Sequence, residues 1–363
     1  MFRAKTVLVL GAGASYEVNM PLGSELLERI CRLVDIRFDH YQPISGDLCI
    51  IDALRAIIDE GRSVDIFNQH IGAARVLLEA AKLALSIDNV IHTLENPKVE
   101  MLGKLAIARA ILHAEGEANQ FRTTERRPED LDLSQFKGTW YEILAKLITE
   151  GLRSSDHQRA FDNLTIVNFN YDRCLEHFLR FHMSGALGIK PELAEQDVVS
   201  LSMYRPYGQV GRLPWMPGTV QPAKFGSAST RDILATYGQI RTFTEQVNDD
   251  ALLESIQHAL SVADRIVFLG FGFHRQNIEL IKAPIQNHAI VLGTVQGISR
   301  NDQEVIKAEL CEAFQIDEES GQHRIRLAAE TCNDFMKNNW RTLTGAAPER
   351  RDTPQFYDPP LEN

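Results

Sequence analysis

The sequence predicts an α/β protein with a Rossmann-like, mostly parallel sheet and a large all-helical insertion after its first β-α unit. Three observations predict it. Branched apolar runs recur at Thr6–Leu10, 164–169 and Arg265–Leu269, each stopping at a glycine or Asn/Asp turn and passing into helical periodicity. Such runs, without polar alternation, suit parallel strands covered on both faces. Between the first two lies a long stretch with apolar residues at helical spacing and little alternation. Strands alternating with helices imply parallel pairing through right-handed crossovers.

The elements follow in order. The first strand, Thr6-Val-Leu-Val-Leu10, stops at Gly11-Ala-Gly-Ala-Ser15, and 22–34 reads as a helix with Leu26, Leu27, Ile30 and Leu33 or Val34 on one face. Helical periodicity then fills 48–91, as in Val76, Leu77, Ala80, Leu83 and Ala84, and resumes over 99–113 and 140–148, with a polar break at 115–132. These place a helical module at 41–155 inside a Rossmann-like domain formed by 1–40 and 156–343. Strand character returns at 164–169, followed by Asn170-Tyr-Asp172 and a helix through Leu179. A third strand is expected at 198–203, leading into Tyr204-Arg-Pro-Tyr-Gly-Gln-Val-Gly211 and a turn-rich segment suited to a surface or cleft. A helix at 250–263 precedes the strand Arg265–Leu269, which ends at Gly270-Phe-Gly-Phe273, and 288–293 supplies another strand. The tail 344–363, with Pro348, Pro354, Pro359 and Pro360, is expected to be mobile, and no internal repeat is present.

Composition narrows the function classes. With 363 residues, 44% hydrophobic and 24% charged, the chain has globular proportions and room for a substantial core. No apolar run approaches the roughly 18 to 20 residues of a bilayer-spanning helix, and the short run after Arg3 and Lys5 does not fit a signal peptide, so a cytoplasmic protein without membrane partners is expected. Cys31, Cys49, Cys174, Cys311 and Cys332 are odd in number and form no C-x-x-C pair, which argues for reduced thiols over a disulfide framework or zinc ribbon. No His/Cys cluster suggests a metal. A net charge of −11 excludes broad attraction to nucleic acid or anionic membrane. The basic cluster of Arg122, Arg126 and Arg127 is interrupted by Glu125 and followed by Glu129 and Asp130, as in a solvated loop.

Gly11, Ala12, Gly13, Ala14 and Ser15 sit where a parallel strand turns into the first helix. Unpaired backbone N–H groups and the helix dipole favour a phosphate there, and glycine permits close approach. As a dinucleotide fingerprint the turn is incomplete, since Tyr16 holds the third glycine position.

The continuation resembles the opening of sirtuin-like (silent information regulator 2-type) NAD-consuming domains: Gly11-Ala-Gly-Ala-Ser15, then Met20-Pro21-Leu-Gly23 and a leucine-paired helix. A second match is Asn170-Tyr-Asp172 after a buried strand, where the family places Asn-x-Asp, and a third is Gly270-Phe-Gly272-Phe273-His274-Arg-Gln-Asn277, similar to its late glycine-rich loop. Ser63-Val-Asp-Ile-Phe67 is a weaker echo. The islands span roughly residues 5 to 295 and resemble the bacterial branch linked to antiphage defence more than the protein deacetylases, which carry a zinc ribbon.

The resemblance implies NAD as ligand or substrate and no metal. Breaking the nicotinamide–ribose bond builds positive charge on the sugar, so a site must fix the ribose, hold the amide and exclude stray water. It assigns Asn170 to the ribose hydroxyls and the attacking water, Asp172 to the nicotinamide carboxamide, and Gly11 to Ser15, Pro21, Gly208, Gly270, Gly272, Phe273, His274 and Asn277 to cofactor binding. Tyr207 stands where the family places its catalytic histidine. A phenol with an ordinary pKa of about 10 is a poor base. His274 is the best-placed substitute, with His177 and His182 behind it. Three activities are therefore expected as alternatives: an NAD glycohydrolase of a bacterial defence or stress system yielding nicotinamide and ADP-ribose; a catalytically silent sensor of NAD or ADP-ribose; or a nucleotide-processing enzyme that reuses the cleft without NAD. Family behaviour adds a homo-oligomer and a protein partner that hold the activity in check.

Overall fold

The computed structural model describes residues 1–58, 64–121, 123–124, 127–242, 245 and 249–346. Ser63, Arg122, Glu125, Arg126 and the tail from 347 to 363 lie outside the described residues.

Strand β1 (Thr6–Leu10) leads through the one-turn helix α1 (Ala12–Tyr16) to α2 (Gly23–Val34). A hairpin of β2 (Arg37–Asp39) and β3 (Gln42–Ser45) is followed by α3 (Leu48–Ile58), α4 (Val64–Ala81), α5 (Ile87–Leu94) and α6 (Pro97–Glu117). A second hairpin, β4 (Thr123–Thr124) with β5 (Arg127–Leu131), precedes α7 (Trp140–Thr149). The chain continues through β6 (Leu164–Asn168), α8 (Cys174–Leu187), α9 (Pro191–Ser200), β7 (Ser202–Tyr204) and α10 (Thr230–Thr236). The last three strands are β8 (Arg265–Leu269), β9 (Ile290–Thr294) and β10 (Ile325–Ala328).

Six strands form one sheet in the order β10-β9-β8-β1-β6-β7, every pair parallel. Taken by their order in the chain, these strands run 3-2-1-4-5-6 from β7 to β10, the doubly wound Rossmann arrangement, whose crevice opens where the winding reverses beside the first strand. Every residue of β1 and β8 is buried, as expected for strands covered on both faces. Among the described residues no helix is long and apolar enough to cross a membrane.

The insertion is predominantly helical, but the two hairpins depart from the all-helical expectation. In the first, His40 and Tyr41 take φ of 43° and 67°, a left-handed two-residue turn. That geometry is usually signalled by Asn-Gly or Asp-Gly, which this segment lacks. The expected strand at 198–203 is also corrected. Residues 198–200 end α9, and the strand is only Ser202–Tyr204. Pro191 starts α9 at a position where its missing N–H costs nothing, and Ala194 and Val198 bury one turn apart on the same helical face. The helix after Asn170 runs on to Leu187, and β10 is a strand that the sequence pattern does not announce.

The insertion is tied to the sheet domain by a buried ion pair. Arg173, fully buried, donates from its backbone N–H and its guanidinium to Glu115 on α6, and its guanidinium also donates to the Ala223 and Lys224 carbonyls. Two charges are thus removed from water with their polar atoms satisfied, the condition under which such a pair is tolerated.

Candidate functional site

In the sheet register, Leu10 lies opposite both Asn168 and Leu269, so β1, β6 and β8 end level and their loops leave from one edge. The first and third loops pack backbone to backbone. The Gly11 N–H donates to Leu269 O at 3.0 Å and the Gly13 N–H to Gly270 O at 2.9 Å. Gly270 has φ of +56°, and a Cβ there would lie 2.1 Å from Ala14 N; on Gly11 it would lie 2.6 Å from Gly270 O. Glycine is required here by the packing of one loop on the other, before any ligand is considered.

Around this junction opens a cavity of about 860 Å3, within the roughly 300–1,000 Å3 usual for small-molecule sites. Its floor is a buried hydrogen-bond run. The Asn170 amide donates to Gly11 O and to Ser15 Oγ, both at 2.9 Å, and the Ser15 hydroxyl donates to Asp172 Oδ2 at 2.8 Å. Asp172 Oδ1 accepts the Cys174 N–H at 3.1 Å, an Asx turn that leads into α8. Both hydrogens of the Asn170 amide are spent, so Oδ1 is what this side chain can still offer, and it accepts no bond from the described residues.

Backbone donors are distributed unequally between the two glycine loops. Gly11, Gly13 and Ala14 use their N–H groups inside the protein. The N–H groups of Phe271, Gly272, Phe273 and His274 meet no acceptor among the described residues, and Phe271, Gly272 and His274 line the cavity. Anion-binding capacity thus lies in the third loop more than in the first.

One wall carries two phenols. Tyr207 donates to Asn277 Oδ1 at 2.7 Å, and Tyr171 donates to Asp88 Oδ1 at 2.6 Å. Burial, then the nearby Asp88 carboxylate, pushes the Tyr207 phenol above its ordinary value, so it stays protonated and cannot take up a further proton as a base would. Tyr171 is likewise held neutral, first by burial and then by Asp88. Asp88 stands in the first turn of α5, which Ser86 caps by accepting the Asn89 N–H. Its carboxyl is held above the ordinary carboxylate range by burial, with the Tyr171 hydrogen bond opposing.

The opposite end lies beyond β9 and β10. Glu330 Oε1 accepts from the Asn338 side-chain amide at 3.1 Å, while Oε2 is buried and meets no partner among the described residues. Glu17 spans α1, α7 and the helix Cys332–Asn338 by accepting the Trp140 and Asn333 N–H groups at 2.8 and 2.9 Å, and burial raises its carboxyl. The Cys332 thiol is pushed up to about 12, chiefly by burial, so it is no nucleophile at neutral pH.

The structure brings Gly11, Ala12, Gly13, Ser15, Pro21, Asn170, Asp172, Tyr207, Gly270, Gly272, His274 and Asn277 to this one cavity. Three expected residues lie off its lining. Ala14 is buried with its carbonyl on the Trp140 indole, Phe273 turns into the core against Phe268 and Phe271, and Gly208 makes a left-handed turn whose Cβ position is filled by Gln239 O. His177 and His182 are elsewhere. His177 stacks on Phe225 with centroids 4.0 Å apart, and His182 bonds the Ala145 carbonyl. His274 is exposed at the rim. Asp88, Tyr171 and Glu330 carry no signal in the sequence. Ser86-Ile-Asp88 reads only as a helix cap, and Glu330 follows a strand too short to register.

In comparisons with known proteins, no family model matches the chain and no curated protein matches it.

Proposed function

We propose that this chain binds a NAD-type dinucleotide across the cavity and hydrolyses its nicotinamide–ribose bond to nicotinamide and ADP-ribose. The observation that carries the reading is the Asn170–Ser15–Asp172 run, which commits both donors of Asn170 and leaves a fixed acceptor for a ribose hydroxyl or a water. A positioned acceptor beside buried carboxylates favours the cationic character that grows on the ribose as the bond breaks. The amides from Phe271 to His274, which meet no acceptor among the described residues, suit a diphosphate, a role that the sequence alone suggests for the first loop. Glu330 Oε2 offers an acceptor for the hydroxyls of the second ribose. The order of the sirtuin-like motifs in the sequence supports the same ligand class, and with it a bacterial defence setting in which self-assembly and a protein partner restrain the activity.

One observation favours a second reading, a silent sensor of NAD or ADP-ribose: the phenol at the family's histidine position is buried, neutral and bonded to Asn277. Mixing the purified protein with NAD tests both. Nicotinamide release that is lost in Asn170→Ala supports hydrolysis. A thermal shift with ADP-ribose but no release selects the sensor, and no shift with either ligand overturns both.

A further inference from the structure

Hydrolysis at this site requires a group that takes a proton from water, and the residues expected to do so are unsuited. Tyr207 spends its hydrogen on Asn277, His177 and His182 lie outside the cavity, and His274 stands exposed at the rim. Asp88 lines the cavity from the insertion side. It is fixed from two directions: the Tyr171 phenol, on the residue next to Asn170, holds Oδ1 at 2.6 Å, and the Ser86 cap holds the turn. The helix is seated by Ile87, Val90 and Ile91, all buried. Gly103 on α6 leaves room for Ile91, since a Cβ there would lie 2.6 Å from Ile91 Cδ1. Oδ2 accepts no hydrogen bond from any other described residue. The groups that face this carboxyl are Tyr171, Tyr207 and His274, with Glu245 acting on Tyr171 from further off.

We infer that Asp88 is the general base of the site, supplied by the helical insertion to a cavity built by the sheet domain; the inference rests on the hydrolase reading above. Asp88 Oδ2 takes a proton from a water while the water oxygen bonds to ribose C1′. The C1′–N bond breaks, its electron pair passes to the pyridinium nitrogen, and nicotinamide leaves neutral. The proton reaches solvent as ADP-ribose departs. Burial raises the carboxyl above its ordinary value, which makes its ionised form a stronger proton acceptor than an exposed carboxylate.

The test measures kcat and KM for nicotinamide release across pH in the full chain, with ADP-ribose binding followed separately. Asp88→Asn is expected to lower kcat about 10²–10⁴-fold while KM and ADP-ribose binding change little. The wild-type kcat should rise with pH along an acidic limb that is absent in Asp88→Asn and survives in His274→Gln. Tyr171→Phe removes the bond that lowers the Asp88 pKa, so the limb should move to higher pH, and this readout leaves the carboxylate in place should Asp88→Asn fail to fold. Wild-type turnover and limb in Asp88→Asn, or a limb unmoved by Tyr171→Phe, overturns the inference and leaves the hydrolase reading standing. ADP-ribose binding without any wild-type turnover overturns both.

Discussion

Ser15 and Asp172, 157 residues apart in the chain, share a buried hydrogen bond of 2.8 Å, and Asn170 joins it from the other side of the same hydroxyl. Removing the hydroxyl strands two partners at once. Ser15→Ala is therefore expected to lower stability by about 1–3 kcal/mol, the cost of leaving buried polar groups unpaired, and to reduce nicotinamide release by freeing the Asn170 amide to turn. Urea denaturation of Ser15→Ala, Asp172→Asn and the double variant should show a coupling of about 0.5–3 kcal/mol. Additive effects would remove the run as a unit.

Gly270 predicts a packing defect that owes nothing to ligand. Its backbone is left-handed, and any Cβ on it would stand 2.1 Å from Ala14 N, which leaves no room for a methyl group. Gly270→Ala is expected to cost about 2–5 kcal/mol, strain and overpacking together. Chemical denaturation without ligand measures it, and a near-neutral result would show that the two glycine loops are not in contact in solution.

Glu330 predicts ligand preference. A carboxylate oxygen with no partner among the described residues accepts from a ribose hydroxyl but repels a phosphate on that position. ADP-ribose should bind at least about tenfold, or roughly 1.4 kcal/mol, more tightly than its 2′-phosphorylated form, and Glu330→Gln should narrow the gap. Calorimetric titration of both ligands checks this. Equal affinities in the wild type would place the second ribose elsewhere.

His177 predicts an acid-sensitive stability. Burial, with Arg173 and Arg180 adding repulsion, lowers its pKa from 6.5 to about 3, so the folded protein holds it neutral against Phe225. The unfolded chain binds the proton first, and stability falls as pH drops from 6.5 towards 3, by at most about 1.4 kcal/mol per pH unit from this group. His177→Phe keeps an aromatic ring without the titration and should flatten that slope, measured as Tm against pH.

Much of the sheet was legible because its strands are covered on both faces. Thr6–Leu10, 164–169 and Arg265–Leu269 need continuous apolar runs, and each run ends at a loop that reaches the cavity. Where local sequence was ambiguous, burial chose. Val198 and Val199 carry strand propensity, yet Val198 shares a buried face with Ala194 and both valines fall within α9. The β2–β3 turn escaped because His40 and Tyr41 take a left-handed geometry that their types do not announce.

Within the site, the chain by itself determined the glycine turns, Asn170 and Asp172, since residue types that must admit a backbone or fix a hydrogen bond are confined to a few letters at strand ends. Tertiary structure alone decided what those letters do. It spent the Gly11 and Gly13 amides on the end of β8 and the third loop, set Asn170 as an acceptor by engaging both its hydrogens, turned Phe273 away, and carried Asp88 in from the helical stretch between β1 and β6. The reason is physical. A strand or a turn follows from interactions among near neighbours, whereas a hydrogen bond across 157 residues exists only once the sheet has aligned the ends that make it.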